Sequence, residues 1–198
     1  MTAMQLPEGL KRCVEFHGHF CPGLTVGYRA GLVALGRLGA KRASDEELIA
    51  IVENDSCAVD AMQVLTGCTF GKGNLLFRDY GKMVNTFALR PTGRAVRVAL
   101  RRRHQREAEP PGQDPDARAR WLLDAPVEQI LDVREMTISL PAEAEISESV
   151  VCDRCGEEAM ASRTVKDGRR TLCLSCAKAE KAPVSPEGTI GEGGADEA

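Results

Sequence analysis

The stretch LIAIVENDSCAVDAMQVLTG, residues 48–67, decides the fold because two kinds of secondary structure meet in it. Leu48–Val52 is apolar and rich in β-branched side chains, which predicts a buried strand. From Ser56 to Leu65 the apolar side chains recur at helical spacing, and Gly67 provides a helix stop. The stretch therefore predicts a strand, a turn and a short helix, with Cys57 at the junction.

The chain on both sides of this stretch predicts more elements of both kinds. Apolar positions predict a helix over Pro22–Leu38, and its glycines suggest that another backbone packs closely against it. Strands are predicted over Asn74–Phe77, Lys82–Leu89 and Arg134–Leu140, and helices over Arg94–Glu107 and around Ala117–Asp124. Alternation of apolar side chains supports the strand over Arg134–Leu140.

The composition is that of a soluble globular protein with one core domain and an appendage. Of 198 residues, 43% are hydrophobic and 28% are charged, and the net charge of -3 gives no overall basic field for nucleic acid. No apolar run approaches the roughly 20 residues that cross a bilayer, and the first residues lack the pattern of an export signal. We expect a cytoplasmic protein with reduced thiols and no membrane partner.

Turn-forming and polar segments suggest where the domains begin and end. We expect a core domain over residues 1–141, a linker over 142–150, a zinc-binding module over 151–182 and a disordered tail over 183–198. Residues 109–116 read as a linker within the core domain.

Four of the eight cysteines form two CxxC pairs, Cys152 with Cys155 and Cys173 with Cys176. The spacer between the pairs fits a zinc site, in which four thiolates complete a tetrahedral shell and leave no position for water. We therefore predict a structural zinc ion, with a hairpin over 161–171 between the half-sites. An iron–sulfur cluster is the alternative, because it also uses four thiolates. A module of this size would depend on the metal to fold.

The segment FHGHFCPG, residues 16–23, carries two of the three histidines. If it is extended, His17, His19 and Cys21 face the same side. Pro22 suits the first position of a helix, so Cys21 would lie at the N-cap, where backbone N–H groups stabilise a thiolate.

A second cluster of candidate residues lies near Cys57. Asp60 follows one turn later on the predicted helix, and Cys68 lies beyond that helix in a glycine-rich turn with Lys72. Lys72 is a weak candidate for anion binding, because the turn matches neither a Walker loop nor a dinucleotide fingerprint. Cys13 is read as a buried core residue.

The segments FHGHFCPGLTVGYRAG, residues 16–31, and ENDSCAVDAMQVLTGCTFGKGNL, residues 53–75, closely resemble signature segments of the FmdE family, which takes its name from formylmethanofuran dehydrogenase. The resemblance extends over residues 10–140. It implies an α+β fold, with a mixed core domain followed by a small C-terminal zinc-binding module, and a homodimer with a groove lined by histidine and cysteine.

The resemblance also implies which residues form the groove. The candidates are His17, His19, Cys21, Cys57, Asp60 and Cys68. It further implies a second divalent transition metal, zinc or another, near His19, Cys21 and Cys57.

Three functions remain open from the sequence, and whether the chain is an enzyme is among the open questions. The first is a metal-binding protein with metal- or thiol-dependent activity on a small one-carbon or cofactor-linked substrate. The second is an accessory or metal-delivery subunit of a molybdenum or tungsten formyl dehydrogenase-type complex. The third is a zinc ribbon that contacts nucleic acid, suggested by Arg154, Arg163, Lys166, Arg169 and Arg170 but opposed by the acidic total charge.

Overall fold

The computed structural model describes residues 6–102, 114–141, 143 and 147–181, and the chain divides into two units at residue 144. The first unit contains both signature segments, and the second contains the two CxxC pairs. Helices and mixed sheets together give the predicted α+β fold class.

A five-stranded mixed sheet forms the centre of the first unit. Its strands are β1 (Leu48–Val52), β2 (Leu75–Phe77), β3 (Val84–Leu89), β4 (Arg94–Leu100) and β5 (Leu131–Thr137). They lie in the order β2-β1-β3-β4-β5; β2 is parallel to β1, and every other neighbouring pair is antiparallel. All five residues of β1 are buried, because this strand has a neighbour on each edge and core side chains around it.

Five helices surround the sheet: α1 (Glu8–His17), α2 (Pro22–Leu38), α3 (Ala58–Thr66), α4 (Pro115–Asp124) and the short α5 (Val127–Ile130). The long helix α2 packs against α1, α3, α4 and β4. Apolar side chains from α2, α3 and the sheet form the main core, with the fully buried Phe87 and Met62 among them. A second cluster around Leu10, Leu24 and Tyr28 joins α1 to α2 and α3.

The glycines of α2 allow α3 to approach it closely. A methyl group at Gly27 would lie 2.1 Å from the carbonyl oxygen of Ala58, and one at Gly31 would lie 3.1 Å from the Leu65 side chain. The predicted close packing is thus present. Its partner is a helix of the same chain, so these glycines are not free to pack against a second copy.

The sequence predicted most of the core elements correctly and one of them wrongly. The helix Pro22–Leu38 and the strand Leu48–Val52 have the predicted bounds. The predicted helix over Arg94–Glu107 is wrong, because Arg94–Leu100 is strand β4. Its buried Val96 and Val98 pair with β3 after a tight turn at Gly93, and these tertiary contacts outweigh local helical spacing. Residues 103–107 lie outside the described residues.

The second unit contains two small hairpins and one helix. Strand β6 (Ser149–Val151) pairs with β7 (Glu158–Met160), and β8 (Thr164–Asp167) pairs with β9 (Arg170–Cys173). The helix α6 (Leu174–Lys181) follows β9 directly. The hairpin predicted between the half-sites is confirmed by β8 and β9. The expected disordered tail, residues 183–198, lies outside the described residues.

Crossing a bilayer requires a helix that is both long and apolar. Among the residues that the structure describes, no helix combines the two properties to the necessary degree.

We expect Gly27→Ala to destabilise the core by about 3 kcal/mol or more, because the new methyl group meets backbone atoms that cannot move aside cheaply. Gly36→Ala is the matched control on the same helix, since nothing lies within 4 Å of its added methyl group. The control should stabilise by up to about 1 kcal/mol through helix propensity. Urea unfolding followed by the fluorescence of Trp121, the single tryptophan, measures both values for the core. Equal effects of the two substitutions would contradict the close α2–α3 packing.

Candidate functional site

His17 is the last residue of α1, and the way this helix ends fixes its position. Gly18 follows in the left-handed conformation (φ 96°) and donates its N–H to the Val14 carbonyl at 2.7 Å. The extended conformation expected for residues 17–21 is therefore wrong at His17, which is helical. Because the chain turns at Gly18, His17 and His19 do not play equivalent parts.

Cys21 is the N-cap of α2, as the sequence predicted. Its backbone is extended, Pro22 occupies the first helical position, and its Sγ accepts the Leu24 N–H at 3.4 Å. The start of a helix is a favourable place for a thiolate, because unpaired N–H groups and the helix dipole both stabilise negative charge.

Cys57 lies at the start of α3, on a loop held by a buried asparagine. Asn54 donates its side-chain amide to the Lys82 carbonyl at 3.0 Å, and its Oδ1 accepts the Ser56 hydroxyl at 2.7 Å. The Ser56 Oγ in turn accepts the Ala58 N–H at 3.4 Å. Since Ser56 provides the capping interaction, Cys57 makes no side-chain cap bond and its sulfur is left for another role.

These three helix ends bring His17, Cys21 and Cys57 together. One ligand atom from each lies within 4.8 Å of the others, and the Cys21 Sγ is 3.9 Å from the His17 Nε2. Zinc–sulfur bonds of about 2.3 Å and zinc–nitrogen bonds of about 2.0 Å place tetrahedral ligands about 3.5–3.8 Å apart. The spacing thus fits a single ion with small adjustments of the side chains.

Asp60 orients the imidazole of His17. Its Oδ2 lies 2.7 Å from the His17 Nδ1, and the His17 side chain is only 12% exposed. With the Nδ1 proton donated to this carboxylate, the Nε2 lone pair is available on the side of Cys21. A carboxylate behind a histidine is the arrangement that fixes the tautomer of metal-binding histidines.

The thiol of Cys57 lies in an environment that disfavours its anion. Burial raises its pKa above the ordinary value, and the nearby Cys21 sulfur and Asp60 carboxylate raise it further. Two thiolates so close together need a cation between them, so the donor set fits a divalent ion.

A cavity of about 420 Å³ opens beside this cluster. His17, Cys57 and Asp60 line it together with apolar side chains, among them Phe70 and Phe77. A small organic molecule would fit there, with its apolar part against the phenylalanines and a polar group at the cluster.

Three other predicted residues lie outside the cluster. His19 is exposed, and its ring stacks at 4.6 Å from that of His17. Cys68 is buried and directs its sulfur at the Leu48 carbonyl, and burial raises its pKa to about 11. Lys72 reaches the backbone carbonyls of residues 43–45, so it stabilises a loop and faces no anion pocket.

Cys13 has the core position that the sequence predicted. Its side chain is buried, its sulfur lies 3.9 Å from the Ala61 carbonyl, and burial raises its pKa to about 11. It is therefore a small apolar residue between α1 and α3.

In the second unit, Cys152, Cys155, Cys173 and Cys176 form one group whose sulfurs all lie within 4.8 Å of one another. The Cys155 and Cys173 sulfurs are 4.0 Å apart, close to the spacing of tetrahedral ligands. Gly156, in the left-handed conformation, closes the turn after the first pair by donating its N–H to the Cys152 carbonyl at 2.9 Å.

The four sulfurs cannot share their charges evenly without a cation. Backbone N–H groups lower the pKa of Cys152 to about 6, whereas hydrogen bonding with the neighbouring cysteine sulfurs and burial raise the pKa of Cys176 to about 12. An ion at the centre would stabilise all four thiolates, so the residues fit a structural metal site.

Sequence reasoning missed the residues that hold the loop before Cys57. Asn54 and Ser56 were not among the predicted site residues, although an asparagine two residues before a serine at a helix start is a signal for such a turn. It also grouped His19 with the two cysteines, whereas the structure groups His17 with them.

Comparison with known proteins gives the same picture for the first unit. Residues 16–140 match the family described as "FmdE, Molybdenum formylmethanofuran dehydrogenase operon". A crystal structure of an FmdE-like protein of tungsten formylmethanofuran dehydrogenase, from Syntrophus aciditrophicus, superposes with a TM-score of 0.69 at 26% identity, covering 92% of this chain and all of that chain.

A relative from Archaeoglobus fulgidus, a probable S-adenosyl-L-methionine-binding protein, is 35% identical over 200 aligned positions. The match covers 87% of this chain but 53% of the relative, so the chain spans about half the length of that protein. The signature segments, the matched region and the shared fold together show that this chain belongs to the FmdE family.

Proposed function

We propose that the core unit binds one divalent transition metal ion through His17, Cys21 and Cys57 and uses it on a small ligand held in the adjoining cavity. The observation that carries this proposal is the convergence of three ligand atoms, with Asp60 placed behind His17. Zinc suits the donor set, because it accepts imidazole and thiolate ligands together.

The proposed centre resembles a reactive metal site more than a structural one. Three protein ligands leave the fourth tetrahedral position for water or substrate. The cavity of about 420 Å³ lies against two of these ligands, so a molecule in it would reach that position. A metal there would polarise a carbonyl group or lower the pKa of a bound water, and the same thiols are candidates for direct thiol chemistry.

The names of similar proteins support a one-carbon or cofactor-linked substrate. One is called an FmdE-like protein of formylmethanofuran dehydrogenase and the other a probable S-adenosyl-L-methionine-binding protein. Formyl and methyl groups are both single-carbon units carried on larger molecules. The apolar wall with Phe70 and Phe77 is suited to the carrier portion of such a ligand.

A second candidate function is an accessory or metal-delivery subunit of a molybdenum or tungsten enzyme. The family description supports it, and so do aromatic side chains that are exposed on the core: Phe16 is 60% exposed, Phe70 74% and Tyr80 59%. Exposed aromatic residues are typical of surfaces that another protein covers. Turnover by the isolated protein favours the first function, and recovery of an intact complex without turnover favours the second.

The charges of the second unit speak against the third hypothesis, a nucleic-acid contact. Between residues 151 and 181 there are seven basic and five acidic side chains. A zinc ion with four thiolates adds a net charge of about −2, which cancels the excess. Arg170, moreover, is paired with Asp167 and Glu180 rather than free for phosphate.

We propose zinc as the ion of the four-cysteine site and the cytoplasm as the location. A closed shell of four thiolates favours zinc, with an iron–sulfur cluster as the alternative to be tested. A reducing compartment would keep the eight free cysteines as thiols, which both metal sites require.

Cys173→Ser should remove one metal ion per chain and unfold the second unit while the core remains folded, because the ion supplies most of the stability of so small a unit. Metal analysis per chain, protease mapping beyond residue 147 and Trp121 fluorescence measure the three effects. Ser162→Ala is the control within the same unit. A Cys173→Ser protein with its full metal content and an unchanged protease map would overturn the structural-metal assignment.

Asp60→Asn should weaken metal binding at the core centre about 10- to 100-fold, because it removes the charge behind His17. Asp55→Asn is the matched control, since Asp55 lines the same cavity without an observed bond to His17. Competition with a chelator measures affinity, and cobalt substitution reports thiolate ligation through its absorption bands. Cys57→Ser should abolish those bands at the core site. If wild-type protein holds one ion per chain, and that ion is lost in Cys173→Ser, the core centre does not exist.

We propose a homodimer formed by the core, on the basis of the family resemblance and the exposed aromatic side chains. Truncation after Pro141 should leave the dimer intact at micromolar concentration, as measured by light scattering. Phe70→Ser should shift the equilibrium towards monomer, whereas Leu174→Ser, an exposed apolar change in the second unit, should not. A monomeric truncated core argues against this arrangement.

A further inference from the structure

A second cavity of about 320 Å³ lies in the core unit next to the one at the metal centre. The residues that line it are Arg12, Phe16, Arg42, Gln63, Val64 and Thr69. It thus combines two guanidinium groups with an aromatic ring and two polar side chains, and none of these residues was needed for the proposed function.

The two cavities are direct neighbours. Gln63 on α3 lines both of them. Consecutive residues also diverge between them: Phe16 lines the second and His17 the first, while Thr69 lines the second and Phe70 the first. A molecule that extends past the Gln63 side chain would therefore occupy both.

The electrostatic character of the second cavity favours an anion. Two of its six lining residues are cations, and none is acidic. Among the ion pairs of the described residues, neither Arg12 nor Arg42 has a carboxylate partner. Their charges are therefore available to a ligand.

Arg42 is held in place for this role. Its Nε donates to the Val64 carbonyl at 3.0 Å, and the following residue, Ala43, donates its N–H to the Thr66 carbonyl at 2.7 Å. One edge of the guanidinium is thus fixed to the end of α3, and the terminal N–H groups remain for an anion. Little conformational entropy is lost when a cation held in this way binds a phosphate or carboxylate.

We propose that this cavity is an anion subsite that binds the phosphate or carboxylate end of the ligand whose other end reaches the metal centre. Arg12 and Arg42 contact the anion, Phe16 packs against the adjoining apolar part, and Gln63 lies where the ligand passes between the cavities. The position of the reactive end rests on the proposed function, whereas the anion subsite itself does not.

Titration of isotope-labelled protein, observed by NMR at the arginine Nε–H and backbone amide groups, tests the subsite. The probes are inorganic phosphate, phenyl phosphate, benzoate and the neutral benzyl alcohol. We expect saturable shifts at Arg12, Arg42, Phe16 and Thr69 with phosphate, and at least tenfold tighter binding of phenyl phosphate. Benzyl alcohol should bind at least tenfold more weakly than benzoate, and the ratio of phenyl phosphate to benzoate affinity decides between a phosphate and a carboxylate head group.

Arg42→Gln should weaken phenyl phosphate binding at least tenfold, because charge-assisted bonds to a fixed guanidinium are lost. Arg94→Gln is the control, since it removes the same charge from an exposed position outside the cavity. Trp121 fluorescence checks that each variant is folded. The proposal is overturned if phosphate gives no saturable shift at either arginine, or if Arg94→Gln weakens binding as much as Arg42→Gln.

Two further measurements separate this proposal from the metal proposal. Arg42→Gln should keep the wild-type metal content, and Cys57→Ser should bind inorganic phosphate as the wild type does. Loss of phosphate binding in Cys57→Ser would overturn an independent anion subsite. Phosphate binding by a protein that lacks the core metal would sustain the subsite and leave only the metal proposal refuted.

Discussion

The close contact between α2 and α3 is the constraint on which the candidate site depends. Because Gly27 has no side chain, the backbone of α3 at Ala58 can lie directly against α2. The starts of both helices consequently meet, and each of these starts carries a cysteine. Further along the contact, a methyl group at Gly23 would lie only 3.1 Å from the Cβ of Cys57. A bulkier residue at either glycine would move Cys57 away from Cys21.

The sheet provides the second half of this geometry. Strand β1 ends at Val52, and the buried Asn54 fixes the loop that follows by bonding to the backbone of the segment before β3. A buried amide with all its groups paired specifies one loop conformation. The start of α3 is therefore positioned from two directions, by the sheet and by α2, which is the kind of support that a precise ligand geometry needs.

Much of this arrangement could be predicted from the sequence, because its signals are local. The four-cysteine spacing, the N-cap at Cys21 and the element bounds around Leu48–Val52 all follow from short patterns. The exchange of His19 for His17 could not be foreseen, because it depends on one left-handed residue, Gly18, and on Asp60, which is distant in sequence. Strand β4 was missed because its identity depends on pairing with β3 and β5.

The three ligands of the core centre are unevenly spaced along the chain, and this affects more than chemistry. His17 and Cys21 flank a single helix-to-helix turn, whereas Cys57 arrives only after α2 and β1 have been traversed. An ion held by all three would close that long loop and act as a cross-link, reducing the entropy of the unfolded chain much as a disulfide does. Its release would then loosen the junction of three helices, so the state of the metal and the rigidity of the cavity wall would be coupled.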